Sequence, residues 1–439
     1  MSPPKRQARR QQLQKRVQNQ QLDVTVHALG GLGDAIARTD LQQTVLVEGG
    51  VPGDRLRVLA MPHKGLLRGQ IAQILLPSPH RVEPPCPVFA QCGGCSWQHI
   101  DLEAQRAEKT KFVAHAVGMD VNLQPIQEVV PAWRHRRRVR LHLRRQDGQL
   151  RAGMMARNSH DLAATDECLV LVTELQELLQ KLPQVAQTWL AEGEIYAAQG
   201  VHGVQGVQSV IASLHGRPMA GIPLPTAREI QSQLGLAGLT LQLGRHADRA
   251  GLEEVTLPET AGPLPIQVSA EGFCQATAAG NAAIRQAVQD ALEAVGQVPR
   301  IQEFFAGSGN LTALCSGHAP LVRTVEHDQA AVARARQTLT QNPETQWQLF
   351  CGDVDDLAEP PQTGELWLLD PGRAGARGLS EKMQNHGPQH VIYVSCAMDT
   401  LKRDLAILRT AGYKVQSAVG IDAFPHTAHV EAVVRLERR

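Results

Sequence analysis

Short apolar and polar positions alternate from Leu22 to about Pro79. LDVTVHAL runs into the turn GGLGD, followed by TVLVEGGVPGDRLRVLAM and RGQIAQILL. Period-two alternation broken by Gly and Pro predicts a small five-stranded β-barrel over residues 22–80, with 1–21 a flexible tail. Residues 80–100 read as loop, a helix is expected from about Asp101 to Val117, and an alternating strand rich in arginine follows. Mixed signals over 81–265 predict an α+β region with a helix near Thr173–Glu192. Over 266–439 the pattern changes: AAIRQAVQDALEAVG is an amphipathic helix, and IQEFFAGSGN, LVRTVEHD, WQLFCGD, ELWLLDPG and QHVIYVSC are apolar strands with polar ends. Strand–helix alternation of this kind predicts a doubly wound, mainly parallel, Rossmann-like α/β sheet.

Composition is that of a globular protein, with 43% hydrophobic and 20% charged residues in 439. That length predicts more than one core. No apolar run reaches the ~20 residues needed to span a bilayer, and the basic, Gln-rich start lacks the apolar core of a secretory signal. A cytoplasmic protein with no membrane association and no obligate protein partner is expected. Net charge is only +1, but its distribution matters more than its sum. Lys5, Arg6, Arg9, Arg10, Lys15 and Arg16 form one acid-free run, and Arg134, Arg136, Arg137, Arg138, Arg140, Arg144 and Arg145 another. Clustered cations on an otherwise acidic body predict a phosphate-backbone partner, with a solubilising tail an equal reading of the first run. The second run alternates with Val139, Leu141 and Leu143, which predicts a strand lining one face with guanidinium groups. At 3% aromatic residues, an extended base-stacking platform is not expected.

Candidate chemistry collects at strand ends, where open α/β sheets bind ligands. Glu303-Phe304-Phe305-Ala306-Gly307-Ser308-Gly309-Asn310 ends a strand and opens a glycine turn that lets backbone approach a ligand. Glu326 ends the next strand, suitably placed for a ribose diol, and Asp353 the one after, facing an adenine amino group. This order of glycine turn and two strand-end acids is that of S-adenosylmethionine methyltransferases of class I. Two later strands end in Asp370-Pro371-Gly372-Arg373 and Ser395-Cys396. A thiolate adding to uracil C6 turns C5 into a nucleophile, and the C5 proton must then leave to a base. Glu431 is the best candidate, with His426 and His429 as rivals.

These motifs together resemble the RNA uracil-5-methyltransferase family, in the branch carrying a TRAM domain and an iron–sulfur cluster, whose best-known member acts on 23S ribosomal RNA. The resemblance runs from Gly30 to Glu431 and includes Gly30-Gly31-Leu32-Gly33, Val51-Pro52-Gly53-Asp54 and Pro77-Ser78-Pro79-His80-Arg81. It implies Cys396 as nucleophile, Glu431 as general base, and cofactor contacts at Gln275, Phe305, Asn310, Glu326, Asp353 and Asp370. It implies methylation of ribosomal RNA; the same reaction on transfer RNA, or a catalytically weakened RNA-binding or assembly protein, are the alternatives. Three departures touch the loops near the uracil. Ala397-Met398 replace Asn-Pro, Thr277 replaces Asn, and Gly372 stands where Pro or Ala is commoner.

Cys86, Cys92 and Cys95 are spaced C-x5-C-x2-C, which points to metal or cluster binding in a cytoplasmic protein rather than disulfides. The family's fourth ligand position falls on Cys168. Four thiolates suit tetrahedral zinc as well as a [4Fe–4S] cluster, and the resemblance favours the cluster.

Overall fold

The computed structural model describes residues 20–438 except 64, 119, 120, 122, 204 and 261–263. The basic run ending at Arg16 lies outside the described residues. The fold is multidomain, with an N-terminal barrel, a central α+β domain and a C-terminal Rossmann-like sheet of the class I methyltransferase type. One compact unit holds the residues up to Pro85 with Cys95–Glu108 and His426–Ala428; the other holds Cys86–Gly94, Lys109–Pro425 and His429–Arg439.

In the first unit β1 (Gln20–Leu29), β2 (Ala35–Arg38), β3 (Thr44–Val47), β4 (Arg55–His63) and β5 (Leu66–Leu76) close in the order β1-β2-β3-β5-β4. The alternation works as expected: Val24, Val26, Ala35, Ala37, Val45, Val47, Leu56 and Val58 point into the barrel and are essentially inaccessible. Asp54, fully buried, accepts N–H bonds from Val51 (2.7 Å) and Ser78 (2.8 Å) and pairs with Arg81. This ties the Val51–Asp54 turn to the Pro77–Arg81 segment and explains both motifs as structural.

Helix α1 (Leu102–Val117) precedes the central sheet in the chain, and its Val113, Ala116 and Val117 join the apolar core of the C-terminal domain. The strands of the central sheet are β6 (Arg138–Gln146), β7 (Gln149–Met155), β8 (Leu162–Ala164), β9 (Leu190–His202), β10 (Val207–Pro218), β11 (Gly238–Leu243) and β12 (His246–Gly251), with β13 (Glu254–Thr256) and β14 (Gln267–Ser269) branching from β9. Helices α2 (Thr173–Ala186) and α3 (Ala227–Leu234) supply apolar side chains to the same core as Val139, Leu141 and Leu143 of β6. The helix expected to reach Glu192 stops at Ala186, and Leu190 already begins β9.

The last domain begins with α4 (Ala278–Val295). Thr277, standing where the family carries Asn, caps it by accepting the Gly280 N–H at 3.2 Å, a role threonine fills well. Then follow β15 (Ile301–Phe304), β16 (Leu321–Glu326), α5 (Gln329–Leu339), β17 (Gln346–Cys351), α6 (Val354–Leu357), β18 (Leu366–Leu369), α7 (Arg377–Asn385), β19 (His390–Ser395), α8 (Met398–Thr410), β20 (Tyr413–Ile421) and β21 (Glu431–Arg438). The sheet order is β17-β16-β15-β18-β19-β21-β20. The first five strands are parallel, while β21 is antiparallel to both neighbours. The strand order reverses between β15 and β18, and the crevice at that switch point is where such sheets take ligands. No helix among the described residues is long and apolar enough to cross a membrane.

Candidate active site

The glycine turn after β15 is held in a conformation few residues adopt. Phe305 has φ +65°, Gly307 +55° and Gly309 +90°. For a bulky residue such as Phe305 this is strained backbone, which persists where the surroundings fix it and clusters at functional sites. Here the Phe305 N–H donates to the Val325 carbonyl at 3.0 Å. Glu326 at the end of β16 accepts the Gly307 N–H (2.9 Å) and the Asp328 N–H (2.8 Å). It therefore fastens the turn to its own strand end, and its Oε1 also lies 2.8 Å from His327 Nδ1. Asn310 closes the turn in a reciprocal pair with Asn281 of α4, at 2.7 and 3.1 Å. Gln275 is buried, and its backbone oxygen accepts from Arg137 at 3.1 Å. Asp353 is exposed and caps α6 through the Asp355 N–H at 2.7 Å.

Parallel pairing sets Phe304 beside Leu369 and Leu369 beside Tyr393. Phe305, Asp370 and Cys396 therefore emerge at one end of the sheet. The antiparallel register with Ser395 opposite Ala432 brings Glu431 to the same end as Cys396. Burial governs the electrostatics. It pushes Asp370 up to about 7, and it pushes Glu431 up to about 8 with help from the Asp370 charge. Cys396 is pushed up to about 11, first by burial, then by Glu431 and Asp370, with Arg373 opposing. His429 accepts from the Arg373 guanidinium at 3.3 Å. Burial, then the Arg373 charge, drives it down to about 4, so it is neutral and a weak base. His426 lies in the other compact unit, where its carbonyl accepts from Ser96 and Trp97. Of the three base candidates, Glu431 combines basicity with proximity to the thiol.

Two residues given no role in the sequence reading belong here. Arg373 closes the motif begun by Asp370 and is the one cation named among the influences on the thiol. Glu303 begins the glycine-turn motif; it is buried, pushed up to about 8 chiefly by burial, and its Oε2 has no hydrogen-bond partner. Neither showed in sequence because Glu303 lies within β15 and Arg373 in the loop after β18, and their burial and electrostatic influence depend on neighbours distant in the chain.

The arginine run is not a free cationic face. Arg137 is buried in a bidentate pair with Glu259 at 2.6 and 2.5 Å. Arg140 pairs with Glu194, and Arg138, Arg144 and Arg145 donate to backbone carbonyls. The alternation with apolar positions is as expected, but folding uses these guanidinium groups first.

The eight cysteines are free thiols. Cys86, Cys92 and Cys168 lie in one unit, and Cys95 belongs to the other. Burial raises Cys92 and Cys168; Cys86 adds to the first effect and Cys92 to the second. Soft, closely coupled thiols that form no disulfide fit an iron–sulfur or zinc centre by donor chemistry. Among the described residues, however, no group of three or more His, Cys, Asp or Glu is arranged to hold a metal ion.

A family model for tRNA (uracil-5-)-methyltransferase matches residues 362–439. The 23S rRNA (uracil(1939)-C(5))-methyltransferase RlmD of Pectobacterium atrosepticum is 32% identical, over 97% of this chain and 95% of that protein. RlmD of Dichelobacter nodosus is 28% identical over 94% of this chain and 98% of its own. Among solved structures, Pyrococcus abyssi tRNA (uracil-54, C5)-methyltransferase in complex with S-adenosyl-L-homocysteine superposes with TM-score 0.71 at 20% identity, covering 94% of this chain and 99% of that one.

Proposed function

The chain belongs to the RNA uracil-5-methyltransferase family, and from that premise we propose that it methylates carbon 5 of a uridine in 23S ribosomal RNA through a covalent Cys396–uracil adduct. The observation that carries the reading is the meeting of Cys396, Glu431 and Asp370 at one end of the sheet, beside the glycine turn. S-adenosylmethionine supplies the electrophilic methyl group. Gln275, Phe305, Asn310, Glu326, Asp353 and Asp370 are the residues that would hold it.

Cys396 gives its proton to solvent and its sulfur bonds to C6 of the uracil, moving the C5–C6 electron pair toward the C4 carbonyl. The electron-rich C5 would then take the methyl group as its bond to the sulfonium sulfur breaks, S-adenosylhomocysteine being the leaving group. Glu431, as carboxylate, removes the remaining C5 proton, the C5–C6 double bond reforms, and the carbon–sulfur bond breaks. A carboxyl raised to about 8 is a far stronger base than an ordinary glutamate, which is what removal of a carbon-bound proton needs.

Relatives similar over nearly the whole chain are named for ribosomal RNA, whereas the transfer-RNA model covers only the final 78 residues. This favours ribosomal RNA. Mapping 5-methyluridine by mass spectrometry in ribosomal and transfer RNA from a deletion strain tests the reading. Loss of one site from 23S RNA is expected; loss from transfer RNA alone would overturn the substrate, and no loss would leave a binding protein.

We further assign Cys86, Cys92, Cys95 and Cys168 to a [4Fe–4S] cluster, supported by the C-x5-C-x2-C spacing of the first three and, for Cys168, by the family resemblance. Iron and acid-labile sulfide in anaerobically purified protein are expected. Stoichiometric zinc, or neither metal, would overturn the assignment.

A further inference from the structure

A buried, hydrogen-bonded polar chain beside the glycine turn starts in the central domain. Arg137 stands one residue before β6. Its backbone is fixed on both sides, donating to Ala276 (2.9 Å) and accepting from Gln199 (2.8 Å). Its side chain is 3% exposed and grips Glu259, itself 7% exposed, through both terminal nitrogens. The third donor, Nε, reaches the Gln275 carbonyl at 3.1 Å. Glu259 Oε1 also accepts from Asn281 Nδ2 at 2.7 Å, and Asn281, fully buried, exchanges hydrogen bonds with Asn310.

We propose that Arg137 is a positioning residue for the cofactor and not an RNA contact: it fixes the backbone at Gln275 directly and the Asn310 end of the glycine turn through Glu259 and Asn281. The reading rests on the cofactor assignment above. Every donor and acceptor along the chain has one geometry, because a planar guanidinium meeting a carboxylate through two parallel bonds cannot pivot. An amide pair that bonds in both directions is equally constrained. Gln275 and Asn310, 35 residues apart in sequence, thus share one buried anchor, to which Arg285 adds a second hold on Asn310 through its carbonyl and, at 3.4 Å, its Oδ1. Lysine could keep charge against Glu259 but could not also reach Gln275.

Calorimetric titration of the full-length protein with S-adenosylmethionine and with S-adenosylhomocysteine tests this, alongside filter binding of an unmodified 23S ribosomal RNA transcript. Arg137→Lys and Asn281→Ser are each expected to raise the cofactor Kd about tenfold, the size of one lost hydrogen bond to a charged group. RNA affinity and its salt dependence should stay at wild-type values. The double variant should lose less than the product of the two, because both changes break one chain. Weakened, less salt-dependent RNA binding with unchanged cofactor Kd would overturn the proposal, as would independent, multiplicative losses. If Arg137→Lys fails to fold, Asn281→Ser alone decides, and a wild-type cofactor Kd would refute the relay. Failure of the wild type itself to bind S-adenosylmethionine would instead sink the cofactor reading.

Discussion

Replacing Glu431 by Gln keeps the shape of a nearly inaccessible side chain and removes its proton chemistry. An unfolded glutamate ionises near its ordinary 4.5, whereas this one holds its proton until about 8. Between those values the folded chain binds a proton that the unfolded chain has lost. The contribution to stability is therefore complete at acidic pH and declines as pH rises through the window, at roughly 1.4 kcal/mol per unit. Glutamine does not titrate. The stability of Glu431→Gln relative to wild type should thus climb by about 3 kcal/mol over two pH units in mid-window. Asp370, raised to about 7, remains in both proteins and largely cancels in the difference. Urea titrations at a mildly acidic and a neutral pH measure the slope. The same variant, mixed with RNA and S-adenosylmethionine, should accumulate a protein–RNA adduct that survives a denaturing gel, because the C5 proton has no acceptor. A flat stability difference would refute the buried, protonated carboxyl. Wild-type turnover would refute the base.

Cys396→Ala should abolish both methylation and the gel-stable adduct, while calorimetric binding of S-adenosylmethionine persists; residual turnover near wild type would exclude a covalent route. Glu365 is fully buried against Arg300 and also holds Gln302 (2.6 Å) and Trp367 (3.0 Å). Glu365→Ala leaves the buried Arg300 guanidinium only Glu359 and the Pro360 carbonyl, frees one bond each from Gln302 and Trp367, and should cost on the order of 3 kcal/mol in urea unfolding, and a wild-type midpoint would contradict that account. Thr277→Ala removes the α4 cap and should cost about 1 kcal/mol by the same assay, whereas Thr277→Asn should cost little. Equal stability of the two would deny the capping role.

Period and punctuation carried much of the architecture. Alternation from Val24 to Val58 forecast the barrel because alternate apolar positions in its strands face a single core, while Leu32 and Leu41 in the connecting turns stay exposed. The strand-end motifs likewise located the crevice, since parallel pairing in β15, β18 and β19 brings consecutive strand ends together. Partners distant in sequence escaped detection. Nothing local distinguishes Arg137 from Arg138, and the carboxylate that buries it lies 122 residues away. Charge counting therefore read as an RNA face what is partly an internal brace. Backbone strain at Phe305 was similarly invisible, because φ depends on the Val325 carbonyl that receives its N–H. The extent of α2 was overread because Trp189 and Leu190, apolar and in helical phase, in fact turn the chain into β9.

The placement of β21 bears on how the domain is assembled. It follows its sheet partners in the chain, yet it lies between β19 and β20 and carries Glu431 at its first position. Until residues 431–438 leave the ribosome, β19 presents an unpaired edge and the crevice lacks Glu431. An adhesive edge of that kind invites mispairing. Insertion of β21 covers that edge and delivers Glu431 to the strand end carrying Cys396 in the same event, so on the proposed chemistry a nascent chain acquires its base only as the sheet is completed.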